Sequence, residues 1–203
     1  MNCGEESCGC GSGSCGCSDE SSCESYCETA KVGHPAPDFK TKAYHKGKFV
    51  DIKLSDYKGK WVVMFFYPLD FTFVCPTEIE GFAKHKAEFE KLDAVIIGGS
   101  TDSEHSHKAW FESDSRLKGV DFPIIADKTR EVTRKYGALM EDKGFALRAT
   151  YIIDPEGVLQ HMSMNNTAVG RNVEETLRTL QAFQTGDLCP VEWKPGKQTL
   201  GKA

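Results

Sequence analysis

The sequence predicts an α/β fold in which helices cover both faces of a central sheet. Two short runs that are almost wholly apolar, WVVMFF and AVIIGGS, have the composition of strands that are buried on both faces. Segments with apolar residues at helical spacing alternate with these runs along the chain. Such alternation of strands and helices is typical of α/β proteins.

The first half of the chain contains the strongest signals. Residues 61–66, WVVMFF, predict the first buried strand. Residues 76–92 place Phe82, Phe89 and further apolar residues at helical spacing, so they predict one amphipathic helix. Residues 94–100, AVIIGGS, predict the second buried strand.

The second half of the chain continues the alternation. Helices are predicted at residues 104–113 and 129–136, and Gly137 ends the second of them. A strand at residues 149–153 precedes the turn Asp-Pro-Glu-Gly and the segment VLQHMSM. This short connection predicts an antiparallel pair within the sheet.

The last predicted helix begins at Asn172, whose side chain can cap it. Glu175 completes an Asn-x-x-Glu pattern, which predicts a capping box. Leu177, Leu180 and Phe183 share one face of this helix and are expected to be buried.

Charge and cysteine are unevenly distributed. The first 30 of the 203 residues contain six acidic residues and no Lys or Arg, so they carry −6 and the remainder carries −5 + 6 = +1. A nearly neutral body argues against nucleic acid as a partner. Seven of the nine cysteines lie in the first 27 residues. An odd number of cysteines excludes a fully paired intrachain disulfide framework.

Membrane and secretion signals are absent from the sequence. No apolar run approaches the roughly 20 residues that span a bilayer. The N-terminus also lacks the basic region followed by an apolar one that marks a secretory signal. We therefore expect a cytoplasmic protein, in a compartment where thiols are kept reduced.

Cys75 occupies the position where a nucleophilic sulfur is expected. It lies where the first strand ends and the first helix begins, and Pro76 is favoured at the start of a helix. Free backbone N–H groups and the positive end of the helix dipole favour a thiolate there. Pro68 stiffens the preceding loop, and the Thr72 hydroxyl can both donate and accept hydrogen bonds.

Residue chemistry alone leaves alternatives open. An arginine would complete an anion-stabilising pocket, but the residues do not choose among six candidates: Arg116, Arg130, Arg134, Arg148, Arg171 and Arg178. Cys75 could instead be an inert core cysteine, because free cysteines are often buried. A thioredoxin-type oxidoreductase is disfavoured, because Cys-x-x-Cys requires cysteine where Glu78 stands.

The segment FYPLDFTFVCPTEIEGF is similar to the active-site segment of the typical 2-Cys peroxiredoxins, the alkyl hydroperoxide reductase C and thioredoxin peroxidase family. The segments VGHPAPDF, LSDYKGKWVV, GGSTDSEHSHKAW, RATYIIDPEG, VGRNVEETLR and DLCPVEWKPG also have counterparts in that family. The resemblance extends from about Val32 to Gly196. It implies a thioredoxin-like fold with a mixed sheet, and a peroxidase that reduces hydrogen peroxide and organic hydroperoxides.

The resemblance also assigns roles to residues. Cys75 matches the peroxidatic cysteine, which attacks the peroxide and becomes a sulfenic acid. Pro68 and Thr72 match residues that shape its pocket. Arg148 matches the arginine that stabilises the thiolate and polarises the peroxide. The supporting residues of this arginine network correspond to Glu78 and Arg171.

Cys189, in the segment CPVEW, matches the resolving cysteine, which attacks from the partner subunit. The resemblance implies an intersubunit disulfide that a thioredoxin-like or flavoprotein disulfide reductase reduces. It further implies a homodimer, and a decamer built from five dimers, with no cofactor. On this reading residues 31–187 form the peroxidase domain and residues 188–203 a C-terminal arm.

Three features depart from the family. The segment SRLKGVDFP lacks the Gly-Gly-Leu-Gly insertion of many eukaryotic members, and the 14 residues after Cys189 do not supply their C-terminal Tyr-Phe helix. We therefore expect a bacterial-like enzyme that resists over-oxidation. The Cys-rich acidic tail, residues 1–30, also has no counterpart in the family.

The tail lacks Leu, Ile, Val and Phe, so we expect it to be disordered unless metal or disulfides order it. Its Cys-x-Cys pairs suit soft cations such as zinc or copper(I). The candidate ligands are Cys8, Cys10, Cys15, Cys17, Cys23 and Cys27. A redox-active arm and a tail without a role are the alternatives. The alternative function for the whole chain is a soft-metal-binding or chaperone-like protein on a peroxiredoxin scaffold.

The pair His105 and His107 could also suggest a metal site. Residues two apart on a helix diverge, however, so the pair is a poor chelate. We expect both to be surface or packing residues.

Overall fold

The computed structural model describes residues 29–202. Within this range the strands are β1 (Lys40–His45), β2 (Lys48–Lys53), β3 (Trp61–Phe66), β4 (Ala94–Ser100), β5 (Ile124–Ala126), β6 (Leu139–Met140), β7 (Phe145–Ala146), β8 (Arg148–Ile153) and β9 (Leu159–Asn165). The α-helices are α1 (Cys75–Lys84), α2 (Lys86–Lys91), α3 (Glu104–Ser113), α4 (Glu131–Lys135) and α5 (Val173–Gln184).

Seven strands form one mixed sheet in the order β2-β1-β5-β4-β3-β8-β9. The three central strands β3, β4 and β5 are parallel. The outer strands pair antiparallel, β1 with β5, β2 with β1, β8 with β3 and β9 with β8. The predicted α/β fold with a central mixed sheet is therefore confirmed, as is the antiparallel pair near residue 155.

Each face of the sheet carries its own hydrophobic cluster. On one face, Phe65 stacks on Phe82 of α1 with ring centroids 4.2 Å apart, and Leu180 of α5 belongs to the same cluster. On the other face, Phe66 and Tyr151 pack together. Cys75 belongs to the first cluster, so the α1 side of the sheet carries the candidate site.

The predicted helix at residues 76–92 is wrong as a single element. It breaks at His85, which separates α1 from α2. The His85 side chain bonds to Glu88, at 2.8 Å between Nδ1 and Oε1. Because Phe82 and Phe89 are both buried, the apolar pattern continues across the break and conceals it.

Helix α4 begins two residues later than predicted. Arg130 precedes it with φ +60°, and the carboxylate of Asp127 accepts from the backbone N–H groups of Val132 and Thr133. The predicted stop is confirmed, because Gly137 follows the helix with φ +67°.

The cap of α5 is confirmed in part. The Asn172 side chain accepts from the backbone N–H of Glu175 at 3.1 Å. The reciprocal half of the predicted capping box is absent, because the Glu175 carboxylate accepts from the Arg178 guanidinium instead. Leu177 and Leu180 are buried as predicted, whereas Phe183 is partly exposed.

The helices bear on whether the chain crosses a membrane. Within residues 29–202, none combines the length and the apolar character that spanning a bilayer requires.

Candidate active site

Cys75 is the first residue of α1, directly after the loop that leaves β3. Its residue exposure is 0%, and Pro76 follows it in the first turn. The carbonyl of Val74 accepts from the amides of Thr77 and Glu78, which starts the helix. A sulfur at this position faces the positive end of the helix dipole, as the sequence predicts.

Arg148 supplies the charged donor at the sulfur. It is the first residue of β8, the strand that pairs with β3. Its Nη1 donates to the Sγ of Cys75 at 3.4 Å and also contacts the Glu78 carboxylate, while its Nε donates to the carbonyl of Thr167 at 2.9 Å. The guanidinium is 4% exposed. A buried cation in contact with the sulfur stabilises negative charge that develops there.

Glu78 holds a second arginine in the same site. One carboxylate oxygen accepts from the Nε of Arg171 at 2.8 Å and from its backbone N–H at 3.0 Å. The Nη1 of Arg171 donates to the carbonyls of Phe66 and Ala149, at the ends of β3 and β8. Burial lowers the pKa of Arg171, and the negative charge of Glu78 opposes that effect.

The loop between β3 and α1 carries Pro68 and Thr72. Pro68 is buried, and the Thr72 hydroxyl donates to the Leu69 carbonyl at 2.9 Å. That bond uses the hydroxyl proton within the loop and leaves its oxygen able to accept. Phe71 has φ +54°, which is uncommon for a bulky residue and marks local strain beside the site.

A buried polar cluster behind this loop was not predicted from the sequence. Asp70 accepts from the Tyr67 hydroxyl at 2.9 Å and from the Ser106 hydroxyl at 2.8 Å, and it bonds to the Nδ1 of His107 at 2.8 Å. Burial and the charge of Asp70 raise the pKa of Tyr67. An acid within the otherwise apolar FYPLDFTF was the signal that could have indicated this cluster.

His105 and His107 take the packing roles that were expected of them. His107 is fully buried, and its Nε2 lies 2.9 Å from the Ile125 carbonyl. His105 packs against Phe49, with ring centroids 4.8 Å apart. Within residues 29–202 there is no group of three or more His, Cys, Asp or Glu side chains that could hold a metal ion.

Cys189 lies on the C-terminal arm, apart from the Cys75 cluster of the same chain. Its Sγ lies 3.7 Å from the Ala182 carbonyl and 3.5 Å from the Thr185 hydroxyl, both at the end of α5. Hydrogen bonds from Leu188 to Gly201 and from Leu200 to Leu188 close the arm on itself. Cys75 and Cys189 both have free thiols.

The remaining candidates lie elsewhere or outside the described range. Three of the other arginines pair with carboxylates away from Cys75: Arg116 with Asp114, Arg134 with Glu141 and Arg178 with Glu175. The predicted tail ligands Cys8, Cys10, Cys15, Cys17, Cys23 and Cys27 are outside the described residues.

The sequence model of the AhpC/TSA family matches residues 32–162. The chain belongs to the AhpC/TSA family. Peroxiredoxin prdx-2 of Caenorhabditis elegans is 49% identical over 178 residues, which cover 84% of this chain and 89% of the relative. As a peroxiredoxin, the protein is an antioxidant enzyme, a thiol-dependent peroxidase.

Solved peroxiredoxin structures agree with this assignment. The reduced 2-Cys peroxiredoxin of Plasmodium vivax has a TM-score of 0.79 at 37% identity, covering 83% of this chain and 91% of that one. The AhpC of Mycobacterium tuberculosis has a TM-score of 0.75 at 40% identity, covering 82% and 99%. The predicted thioredoxin-like fold is confirmed by these neighbours.

Proposed function

We propose that this peroxiredoxin reduces hydrogen peroxide and organic hydroperoxides at Cys75, and that Cys189 of the partner subunit resolves the product. One observation carries the proposal. The Cys75 sulfur sits buried at a helix start, 3.4 Å from the Arg148 guanidinium. Among residues 29–202, that contact makes Cys75 the cysteine with a charged donor on its sulfur.

The first step consumes the peroxide. The Cys75 thiolate attacks the terminal oxygen, and the O–O bond breaks as an S–O bond forms. Sulfur is oxidised to a sulfenic acid, and the remaining oxygen takes up a proton and leaves as water or an alcohol. Electrons come from the sulfur alone, so no cofactor takes part.

The surrounding residues divide the remaining work. Arg148 stabilises the thiolate and the negative charge that develops on the peroxide oxygens. Glu78 and Arg171 hold Arg148 in place through their shared carboxylate bonds. Pro68 and Thr72 shape the loop over the pocket, and the Thr72 oxygen accepts a hydrogen bond from the peroxide.

The second step forms a disulfide between subunits. The Cys189 thiol condenses with the sulfenic acid and releases water. A thioredoxin-like or flavoprotein disulfide reductase then reduces the disulfide by thiol exchange. This scheme requires a homodimer, and we extend it to a decamer of five dimers. Residues 31–187 form the peroxidase domain and residues 188–203 the arm, and the cytoplasm is the compartment of the reaction.

Disulfide mapping tests the proposal. Reduced protein receives one equivalent of hydrogen peroxide and is analysed on a non-reducing gel, followed by mass spectrometry of the linked peptides. We expect a covalent dimer joined through Cys75 and Cys189. Cys75→Ser is expected to give no dimer and no peroxide consumption, and Cys189→Ser to consume one equivalent and stop at the sulfenic acid.

Two outcomes would contradict the assignment. If Cys75→Ser still consumes peroxide, another cysteine attacks it. A monomer in which Cys75 is linked to a tail cysteine would mean that the tail, and not Cys189, resolves the sulfenic acid.

A second activity is favoured by the composition of the tail. We infer that residues 1–30 bind a soft cation through the two Cys-Gly-Cys pairs and Cys23 with Cys27. Six acidic residues without a single Lys or Arg add to the attraction for a cation. Because residues 29–202 offer no cluster for a metal, bound metal would report on the tail.

Metal analysis tests this second activity. Freshly purified full-length protein is titrated with zinc or with copper(I), and bound metal is counted by native mass spectrometry. We expect stoichiometric binding in the parent and in Cys75→Ser/Cys189→Ser, and its loss when all seven tail cysteines become serine. Equal metal content in the parent and the tail variant would refute the inference.

A further inference from the structure

Two buried polar atoms near the site have no hydrogen-bond partner among residues 29–202. They are the Oγ1 of Thr150 and the Nη2 of Arg171. Thr150 is 1% exposed, and the Arg171 side chain is 4% exposed. Buried polar groups almost always find a partner, because an unsatisfied one is costly. A third such atom, Oε2 of Glu104, lies 3.1 Å from the Lys128 ammonium and is explained by that ion pair.

The two residues lie beside Phe65 on the same face of the sheet. Thr150 lies directly opposite Phe65 across the β3–β8 ladder. The Arg171 guanidinium lies over that same Phe65 ring, 5.0 Å from its centroid. Its Nη1 also donates to the carbonyl of Ala149, which is joined by a peptide bond to Thr150. Side chains alternate along a strand, so Thr150 shares its face with Arg148.

The two atoms are also chemically complementary. A guanidinium nitrogen only donates, whereas a hydroxyl both accepts and donates. They make no direct hydrogen bond with each other. A single water molecule can accept from the guanidinium and donate to the hydroxyl, which is how buried waters satisfy protein groups.

We propose that one buried water joins Thr150 to Arg171, and that Thr150 is a positioning residue for the peroxidase reaction. The hydrogen-bonded chain then runs from Thr150 through the water, Arg171, Glu78 and Arg148 to the Cys75 sulfur. The bonds to Phe66, Ala149 and Glu78 fix two of the three guanidinium nitrogens of Arg171. The water fixes the third and prevents the guanidinium from tilting on the Phe65 ring.

This inference rests on the proposed role of Cys75, so its test separates the two. Thr150→Val removes the hydroxyl and keeps the shape, Thr150→Ser keeps a hydroxyl, and Ile152→Val on the same strand and face controls for packing. Cys75→Ser measures peroxide consumption that does not depend on Cys75. Activity in Cys75→Ser would overturn the proposed function. A parent-like rate in Thr150→Val beside an inactive Cys75→Ser would overturn only the role of Thr150.

The kinetic readout compares two reactions of Cys75. Loss of one hydrogen bond is expected to slow the reaction with hydrogen peroxide about 3- to 10-fold in Thr150→Val. Alkylation of Cys75 by iodoacetamide involves no O–O bond for the arginines to polarise. The alkylation rate should therefore change less than about 2-fold in Thr150→Val. Equal slowing of both reactions would mean general disturbance of the loop and would overturn the positioning role. Thr150→Ser is expected to restore the peroxide rate, and failure to do so would also overturn it.

The structural readout needs no variant. A crystal structure of the full-length protein that resolves ordered waters should contain one within hydrogen-bond distance of both atoms. A direct bond between Thr150 and Arg171, or no water at this position, would overturn the proposal. This readout also decides the matter if Thr150→Val does not fold.

Discussion

Glu78 controls the site at the scale of a single residue. Its carboxylate joins three separate parts of the chain: its own helix α1, Arg148 on β8 and Arg171 before α5. Both guanidiniums and the carboxylate are at most 4% exposed, so water screens their charges little. The geometry of the donor that faces Cys75 therefore depends on one acidic side chain.

Replacement of Glu78 by glutamine should disable the peroxidase. The amide keeps the shape of the side chain but leaves two buried cations without their counter-charge, which costs about 3–5 kcal/mol in unfolding free energy. We expect the second-order rate with hydrogen peroxide to fall about 100-fold, measured by stopped-flow fluorescence. Glu80→Gln is the control, because Glu80 pairs with Lys84 at the surface. Similar rates in the two variants would contradict the role of Glu78.

His107 contributes to stability rather than to the chemistry. Its Nε2 faces the carbonyl of Ile125, which can only accept, so that nitrogen carries a proton. Its Nδ1 lies 2.8 Å from the Asp70 carboxylate, and this contact needs a second proton between the two atoms. Both ring nitrogens of His107 are therefore engaged by polar partners in the core.

Replacement of His107 by leucine should strongly destabilise the protein. It removes one of the three side chains that bond to the buried Asp70 carboxyl, and the only one of them that can carry a positive charge, at a cost of about 3–5 kcal/mol. His105→Leu, two residues away and exposed, is the control and should change stability by less than about 1 kcal/mol. Urea unfolding at neutral pH measures both. Equal losses of unfolding free energy in His107→Leu and His105→Leu would contradict a stabilising role of the His107–Asp70 pair.

At the scale of elements, the sequence predicts the strands that are wholly apolar and misses those in which polar and apolar residues are mixed. The strands β3 and β4 are buried on both faces, so they stand out as continuous apolar runs. The hairpin β1–β2 was missed, because its strands carry many lysines and bury few residues, among them Ala43 and Ile52. The break at His85 was missed because Phe82 and Phe89, the apolar residues on either side of it, are both buried.

The candidate site shows the same division. Local chemistry made Cys75 a candidate, since a helix start is visible in the sequence, but it did not exclude an inert core cysteine. Choosing Arg148 among six arginines required the resemblance, because β8 is 73 residues from Cys75 and no local pattern joins them. The cluster of Asp70 and His107 depends on a contact between segments 37 residues apart, and no local spacing predicts it.

Asp121 ties the β1–β2 hairpin to α2. Hydrogen bonding to Lys46, with help from His45 and Lys86, lowers the pKa of Asp121 from 3.8 to about 2. A lowered carboxyl pKa adds stability above the unfolded value of 3.8, and this stability is lost as pH falls through about 2. The side chain is 35% exposed, so solvent screening reduces the contribution to about 0.5–1 kcal/mol.

Asp121→Asn should therefore lower the free energy of unfolding by about 0.5–1 kcal/mol at pH 7. The difference in unfolding free energy between this variant and the parent should shrink between pH 4 and pH 2. Thermal or urea unfolding over this range measures the difference. Asp51→Asn is the control. Asp51 pairs with Lys42 inside the β1–β2 hairpin, so this ion pair does not connect the hairpin to α2. A pH-independent difference would rule out the ion pairs as its cause.

At the scale of the whole molecule, the two cysteines of the proposed reaction lie in different parts of the structure. Cys75 lies in the core beside the sheet, and Cys189 lies on an arm that the buried Trp193 attaches to the body. The carbonyl of Trp193 accepts from Arg178 of α5 at 3.0 Å. In the proposed scheme, the rate at which Cys189 resolves the sulfenic acid therefore depends on how firmly this short surface segment is held.

Over-oxidation should be slow in this peroxiredoxin. Residues 115–123 run directly from a short 3₁₀ turn (Ser115–Leu117) to β5 and lack the Gly-Gly-Leu-Gly insertion that slows resolution in sensitive members. We expect mass spectrometry to find the Cys75–Cys189 disulfide across a wide range of peroxide, and sulfinic acid only at large excess. Cys189→Ser, which cannot resolve, is the control and should form sulfinic acid early. Early sulfinic acid in the parent would contradict this expectation.

The four buried groups of the site cancel in charge when Cys75 is a thiolate: two negative groups, Cys75 and Glu78, face two positive ones, Arg148 and Arg171. Conversion of the thiolate into a neutral sulfenic acid removes one negative charge and leaves the pocket with +1 in a region from which water is excluded. An uncompensated buried charge of this kind destabilises the folded site by several kcal/mol. If the start of α1 opens, water can solvate the charge and remove this cost. In Cys189→Ser, one equivalent of peroxide should thus speed amide exchange in α1, and unchanged exchange would refute this. In the proposed scheme, oxidation of Cys75 therefore weakens the packing around its sulfur only after the peroxide has been consumed.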